Sequence, residues 1–537
     1  MARPTVLPAV LLWVTVIAVA SAAGALPDGS GGDLNGLGIS SGRGFAGDNG
    51  LFATVSPNGD GLRDRAVVRF RLERSATVTL EAVAVSKHPR AIWSTSRRFN
   101  PGRASLAWVP APSTPPRTYL LRLTLRRGDK VERIIGSLDR RGEPSARAPV
   151  VRVQGVDSAF GRTSYAPGSL ARLRVATDAR TFTLQVFHAG PEPQATEGDR
   201  MEGVAVSAPR QLDWTLHRNR PATLVVRLGD WPSGIYFARL TAADGRVGYA
   251  PFVLRPRRFG LHRVAVVVHT DTWQAYNHQD VDGDGWGDTW YATGRVRTVD
   301  LNRPFIRGGA PPHWRRYDLP FLHWLYQTGK QVDFLADEDL SRFQTAGALA
   351  SRYDLLVFEG HEEYVTPHEY DLVAGFRNLG GNLLFLSSTN FLWRVDRHGH
   401  RITRVGQWRA LGRPEARLVG VQYRANDEGE HRGAYELTPA GRASWAFAGV
   451  PESAVSAWQW FGIEVDMTTR ASPPGTVVLA RLDPHYPRSG AARGELTYYE
   501  RGGAKVFAAG SLNFTASLFD PAFRRLLENV WTRLAAP

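Results

Sequence analysis

At 537 residues the chain exceeds what one hydrophobic core can hold, and roughly 100 to 200 residues per domain predicts three or four domains. It contains no cysteine, which excludes disulfides and thiol chemistry and leaves burial and bound ions to stabilise the fold. The formal charge of +15 is scattered, with no Lys/Arg run and no nucleic-acid fold signature; no nucleic-acid partner is expected, and the charge reads as solubility and electrostatic association with the cell envelope.

Residues 1–22 start with Arg3 close behind Met1, run through an apolar stretch from Val10 to Ala20 and close on Ala20-Ser21-Ala22. This is the pattern of a secretory signal peptide and predicts a secreted or envelope-bound extracellular chain. An uncleaved anchor is the other reading, since the apolar run is near the lower limit for a membrane span. Residues 23–50, rich in Gly, Ser and Asp, read as a flexible linker.

Residues 51–147 show short alternating runs, such as Val68-Arg-Phe-Arg-Leu72, between Gly, Pro and Ser clusters, and predict an Ig-like β-sandwich. In Tyr119–Arg126 the alternation puts Tyr119, Leu121, Leu123 and Leu125 on the buried face. The stretch Ser56-Pro-Asn-Gly-Asp-Gly-Leu-Arg-Asp64 resembles the opening of immunoglobulin-like modules of the flagellar hook-capping type. Asn58, Asp60 and Asp64 could offer oxygens to Ca²⁺, or simply form a polar turn. Residues 148–256 repeat the strand style and predict a second β-sandwich.

After Gly260 the pattern changes. Val264–Val268, Tyr353–Phe358, Asn382–Ser387 and Ala504–Ala509 are apolar strands, with helical patterns over Pro320–Thr328, Pro367–Asn378 and Pro521–Leu534. Strands alternating with helices imply a parallel sheet. The expected whole is an α+β multidomain chain: two amino-terminal β-sandwich (Ig-like) domains followed by a flavodoxin-like / class I glutamine amidotransferase-like α/β domain over 260–537, with an insertion at about 394–470. Open α/β sheets bind ligands at the carboxyl ends of their strands, so Glu359-Gly-His-Glu-Glu-Tyr364 and the His269–Tyr276 loop are the candidate site segments.

Asp280, Asp282, Asp284 and Asp288 lie on a glycine-rich loop and suit a hard divalent cation such as Ca²⁺; Tyr291 occupies the twelfth position, where an EF-hand wants Glu or sometimes Asp, so a shorter calcium loop is expected, or else a solvated acidic turn. The strand ending in Ser387-Ser-Thr-Asn390 sits where amidotransferase-like folds carry a cysteine, and without a Gly-x-Ser-x-Gly elbow a serine nucleophile is excluded too.

Tyr276 in Trp-Gln-Ala-Tyr-Asn, His361-Glu-Glu-Tyr364, Gly380-Gly-Asn-Leu-Leu-Phe-Leu386, Thr389-Asn-Phe-Leu-Trp393 and Gly462-Ile-Glu-Val-Asp466 together resemble the beta subunit of N,N-dimethylformamidase over about 225–537. The resemblance implies hydrolysis of a small-molecule amide around one Fe³⁺ held by two tyrosines and a glutamate. Tyr364 matches the tyrosine of the family's His-x-Glu-Tyr motif and Glu464 its glutamate; Tyr276 and Tyr326 are the candidates for the second tyrosine. His361 and Glu363 would orient water or move protons, and Asn390 and Trp393 would meet the substrate. Departures are Glu362 in place of a proline and Ser387-Ser-Thr-Asn390 in place of Gly-Gly-Asn-Gly.

Plainer readings stand beside these. Tyr364 can be an aromatic cap on the sheet, Glu464 an outward strand residue, His361 a structural histidine, and Trp324, Trp393, Trp458 and Trp460 core rather than a wall for a sugar. The function expected is a secreted metal-dependent hydrolase of a carbon–nitrogen bond; the alternative is a non-catalytic extracellular binding or adhesion protein on a degenerate amidase scaffold, with carbohydrate as one ligand class. Either is compatible with an oligomer.

Overall fold

The computed structural model describes residues 33–86, 88–137, 147–192, 200–482 and 493–536; the expected signal peptide and the first part of the expected linker lie outside them. Among the described residues the first elements are strands because their side chains alternate. Ala76–Ala84 runs buried, half-buried, buried almost to its end, and Tyr119, Leu121, Leu123 and Leu125 all face inward, as the period of two requires. Leu34–Ser40, Ala66–Leu72 and Gly102–Trp108 make one sheet. A six-stranded sheet built around Arg117–Arg127 packs against it over a core that includes Phe70, Leu80 and Leu121.

Two segments differ from expectation. Leu34–Ser40, within the stretch read as linker, pairs antiparallel with Ala66–Leu72, its Leu34 and Ile39 buried despite the surrounding glycines. Val150–Val153, past the expected boundary at 147, belongs to the first sandwich: it pairs with Phe52–Val55 and Arg117–Leu120, and its three valines enter that core. The second sandwich sets Asp157–Phe160, Leu170–Ala176 and Ala222–Arg227 against a sheet containing Thr181–His188, Gly234–Ala242 and Val247–Leu254.

Beyond Gly260 an eight-stranded sheet carries five parallel strands in the spatial order Asp333–Ala336, Val264–Val268, Leu355–Phe358, Asn382–Phe385, Ala504–Ala508. The central runs Val264–Val268 and Leu355–Phe358 are apolar throughout because both faces are covered. Three antiparallel strands, Glu495–Arg501, Val477–Leu482 and Tyr435–Leu437, extend the sheet. Helix is scarce: only Leu319–Gln327, Pro367–Asn378 and Pro521–Ala535 reach nine residues among those described. The structure therefore does not support the flavodoxin-like / class I glutamine amidotransferase-like α/β domain expected; much of the chain between Trp393 and Met467 forms small sheets instead. Pro367–Asn378 starts where a capping box should start it, with Thr366 and Glu369 each closing on the other's backbone N–H.

The halves interlock. Trp286, on the acidic loop of the carboxyl-terminal half, is buried in the first sandwich's core. The glycines beside it make room: a Cβ on Gly285 would stand 2.9 Å from Leu120 and one on Gly283 2.9 Å from Phe52.

At the second sandwich, His188 stacks on Tyr236 with ring centroids 4.4 Å apart and shares a 2.7 Å hydrogen bond with the Tyr326 hydroxyl. Burial pushes the His188 imidazole down from 6.5 to about 4. As pH falls below 6.5 the unfolded chain takes up that proton and the fold does not, so this contribution is complete above 6.5 and is lost down to about 4, a loss on the order of 3 kcal/mol. Urea unfolding across that window should show His188→Gln losing less stability than wild type by about that amount; parallel losses would mean His188 is not held neutral.

Candidate functional site

The carboxyl ends of the parallel strands meet at one edge of the sheet, and the chain there turns toward a cleft of about 910 Å³. From Val264–Val268 the chain enters the helix Thr270–Ala275 and ends it at Tyr276, whose N–H donates to the Thr272 carbonyl. From Leu355–Phe358 it reaches His361 and Glu363, and Tyr364 opens a two-residue strand paired with Trp393–His398. Glu464 begins the strand Glu464–Met467. The loop that carries the aspartates supplies Tyr291.

Five acidic side chains converge. The Tyr276 hydroxyl donates to Glu363 Oε2 at 2.8 Å, the Tyr291 hydroxyl lies 3.5 Å from Glu363 Oε1, and the Tyr291 and Tyr364 hydroxyls are hydrogen-bonded to each other. Both Glu464 oxygens are held, by Thr389 Oγ1 at 2.5 Å and Asn426 Nδ2 at 3.0 Å. Burial, followed by the Glu363 charge, holds the phenols of Tyr276, Tyr291 and Tyr364 well above 10. Burial and then the Glu464 charge push Glu363 up to about 8. His361 lines the same cleft with its ring 5.2 Å from that of Tyr276; burial, helped by His313, takes its imidazole down to about 3, so it stands neutral.

The donor set is phenol and carboxylate oxygen, and Arg404 is the cation that lowers both Glu363 and Tyr364. Such hard, acidic oxygens fit Fe³⁺. Backbone strain gathers here as well. Among the described residues seven non-glycines have positive φ, and of these Arg307, His313, Thr389, Glu428 and Ile463 line the cleft. Left-handed residues of this kind cost on the order of 1–3 kcal/mol each and cluster where function demands them.

Of the residues singled out in the sequence, Tyr276, His361, Glu363, Trp393 and Glu464 line the cleft and Tyr364 lies behind them, touching Tyr291. Tyr326 does not join them: its hydroxyl is spent on His188, since its helix turns that face toward the second sandwich. Asn390 is buried and ties two loops together, donating to the Ser387 carbonyl and accepting from Glu362 N–H. Trp324 packs on Trp531 and Trp458 on Phe461, so these do not extend Trp393 into an aromatic wall. Tyr291 was missed; no local pattern marks it, because it stands at the end of a glycine loop without periodicity.

Elsewhere, Asp280, Asp282 and Asp284 bring ligand oxygens within 4.8 Å of one another, while Asp288 accepts from Val281 N–H. Burial and then Asp284 push Asp280 up to about 7. The Asn58, Asp60 and Asp64 oxygens are occupied by the turn's own amides, and Asp60 also by Arg218.

A family model described as N,N-dimethylformamidase beta subunit-like, C-terminal, matches residues 204–525. No curated protein matches the chain. Similar solved structures include trypsin-activated alpha-2-macroglobulin from Escherichia coli, 11% identical with a TM-score of 0.23 over 42% of this chain and 16% of that one. Salmonella alpha-2-macroglobulin reacted with methylamine is 9% identical, with a TM-score of 0.22 over 42% and 17%. The chain spans a small part of those proteins, and a likeness this slight carries no argument.

Proposed function

We propose, because the chain belongs to the N,N-dimethylformamidase beta subunit-like family, that its cleft hydrolyses the carbon–nitrogen bond of a small amide around an iron ion held by Tyr291, Tyr364 and Glu464, with Tyr276 beside them. The observation that supports this most is the convergence of three buried phenols and two carboxylates on one side of the cleft. Ferric iron, when bound, supplies a Lewis acid to the amide carbonyl. The chain's own residues do the rest. Neutral His361 faces the cleft as a proton acceptor for the attacking water. Tyr276 orients Glu363, and Thr389 and Asn426 fix Glu464.

The cleft volume of about 910 Å³ falls in the upper range of small-molecule sites, so amides larger than dimethylformamide enter as well. Secretion through residues 1–22 and a Ca²⁺ ion on Asp280, Asp282 and Asp284 belong to the same proposal; the second draws support from the closeness of their oxygens.

The test is a visible spectrum with elemental analysis. Iron-loaded wild type should show a tyrosinate-to-iron charge-transfer band; Tyr291→Phe and Tyr364→Phe should lose the band and the amidase activity, while Tyr326→Phe keeps both. A wild type that stays colourless after iron loading would sink the hydrolase reading and leave the non-catalytic binding role.

A further inference from the structure

We propose that a second cation site, for a first-row divalent ion such as Zn²⁺ or Mn²⁺, lies behind the cleft and is built from His269, Asp318 and Glu359. The inference stands apart from the iron reading, since it uses none of the same ligands.

His269 follows the strand Val264–Val268, and Glu359 follows its parallel neighbour Leu355–Phe358. Asp318 immediately precedes the helix Leu319–Gln327. Each offers one ligand atom within 4.8 Å of the other two. His269 Nε2 is 3.4 Å from Asp318 Oδ1, and His269 Nδ1 is 3.6 Å from Glu359 Oε1. These separations suit ligands around a shared centre; the Nδ1 to Glu359 separation is longer than a hydrogen bond allows.

What points to an ion is the set of polar atoms left over. His269 is 4% exposed and Asp318 and Glu359 are fully enclosed. Yet His269 Nδ1, Asp318 Oδ2 and both oxygens of Glu359 have no hydrogen-bond partner. Buried polar atoms are almost always paired, and a carboxyl group enclosed with neither oxygen paired costs the fold several kcal/mol. A cation between the three side chains removes that cost at one stroke. One imidazole and two carboxylates match the nitrogen and oxygen set of zinc and manganese sites, and differ from the all-oxygen shell that Ca²⁺ or Mg²⁺ takes.

The backbone is shaped to admit the ring. A Cβ at position 360 would stand 1.9 Å from His269 Cε1, so Gly360 is what lets the imidazole lie against the chain between Glu359 and His361. Trp273 holds the far side, donating from Nε1 to Asp318 Oδ1 at 3.0 Å and meeting the His269 ring edge-on. His361 stands between the two groups, its ring 6.1 Å from His269 and 5.2 Å from Tyr276. An ion here would brace the wall that carries the cleft's histidine.

The experiment strips the full chain with a chelator, reloads it with Zn²⁺ or Co²⁺ and measures bound metal and the Co²⁺ d–d spectrum, in wild type and in Tyr364→Phe so that the tyrosine cluster does not contribute. A single retained zinc in both, with structured Co²⁺ bands, is the expected result; Glu359→Gln should bind at least tenfold more weakly. Asp318→Asn, which keeps an acceptor for Trp273, is the second variant should Glu359→Gln not fold, and should show the same loss. No zinc or cobalt retained by folded wild type, or wild-type affinity in a folded Glu359→Gln or Asp318→Asn chain, overturns the proposal.

Discussion

A chain carrying Arg397→Met is expected to be about 3–5 kcal/mol less stable than wild type at neutral pH, the usual consequence of removing one member of a buried charge pair. Arg397 is hydrogen-bonded to Asp271, which is itself buried, and both lie among Asp337, Glu362 and Glu369. Burial works against the guanidinium's charge, but Asp271, Glu369 and Asp337 more than restore it and hold it above its ordinary value. The carboxyls answer in kind: burial raises Asp271, Asp337, Glu362 and Glu369, and the Arg397 charge opposes that rise at Asp271, Asp337 and Glu369. Without it Asp271 must either stay charged and alone or take up a proton. The deficit should therefore be largest at neutral pH and shrink as the pH falls and the carboxyls, raised by burial, take up protons. Denaturant unfolding at several pH values reads this directly, and a deficit below about 1 kcal/mol at neutral pH would mean that the cluster shares protons without needing the arginine. Because Arg397 lies on the strand paired with Tyr364, the same variant should loosen the tyrosine cluster.

His361→Asn should lower the amide-hydrolysis rate by about 10²–10⁴-fold, the range for losing a positioned proton acceptor, while keeping iron and colour. The side chain lines the cleft, its Nδ1 has no partner, and it is not among the phenol and carboxylate donors. Steady-state kinetics with metal content measured on the same sample separates the two roles: lost iron would make His361 a ligand or a brace, and an unchanged rate would remove it from the reaction.

The sequence was most readable where side-chain periodicity is local. The helix at Pro367–Asn378 was legible to the residue, because Thr366, Pro367 and Glu369 form a start signal within four positions. Four of the five parallel strands were legible as largely apolar runs, whereas Asp333–Ala336, short and opening on a charged residue, was not. Leu34–Ser40 was not, since its few apolar residues sit among glycines and gain burial only from a partner strand about 30 residues away. The site divided the same way. Glu363 and Tyr364 announced themselves by following an apolar strand, and Glu464 by a motif. Tyr291 is brought to Tyr364 across 73 positions by a glycine loop that no period describes. Tyr326, the other candidate for the second tyrosine, is turned elsewhere by the helix it belongs to. Asp318 had no mark in the sequence, and Glu359 only that of a candidate segment, for a related reason: their meaning lies in empty hydrogen-bond positions, which exist only once the chain has folded around them.

The tryptophan lodged in the first sandwich has a consequence for how the protein can be cut. A version trimmed to start at Gly260 would expose the Trp286 indole and the glycine ledge beside it to water, and the same loop ends at Tyr291. The placement of Tyr291 in the carboxyl-terminal half is thus underwritten by residues such as Phe52 and Leu120, far upstream, and the leading module acts as a fixed buttress of the cleft rather than as a detachable tether.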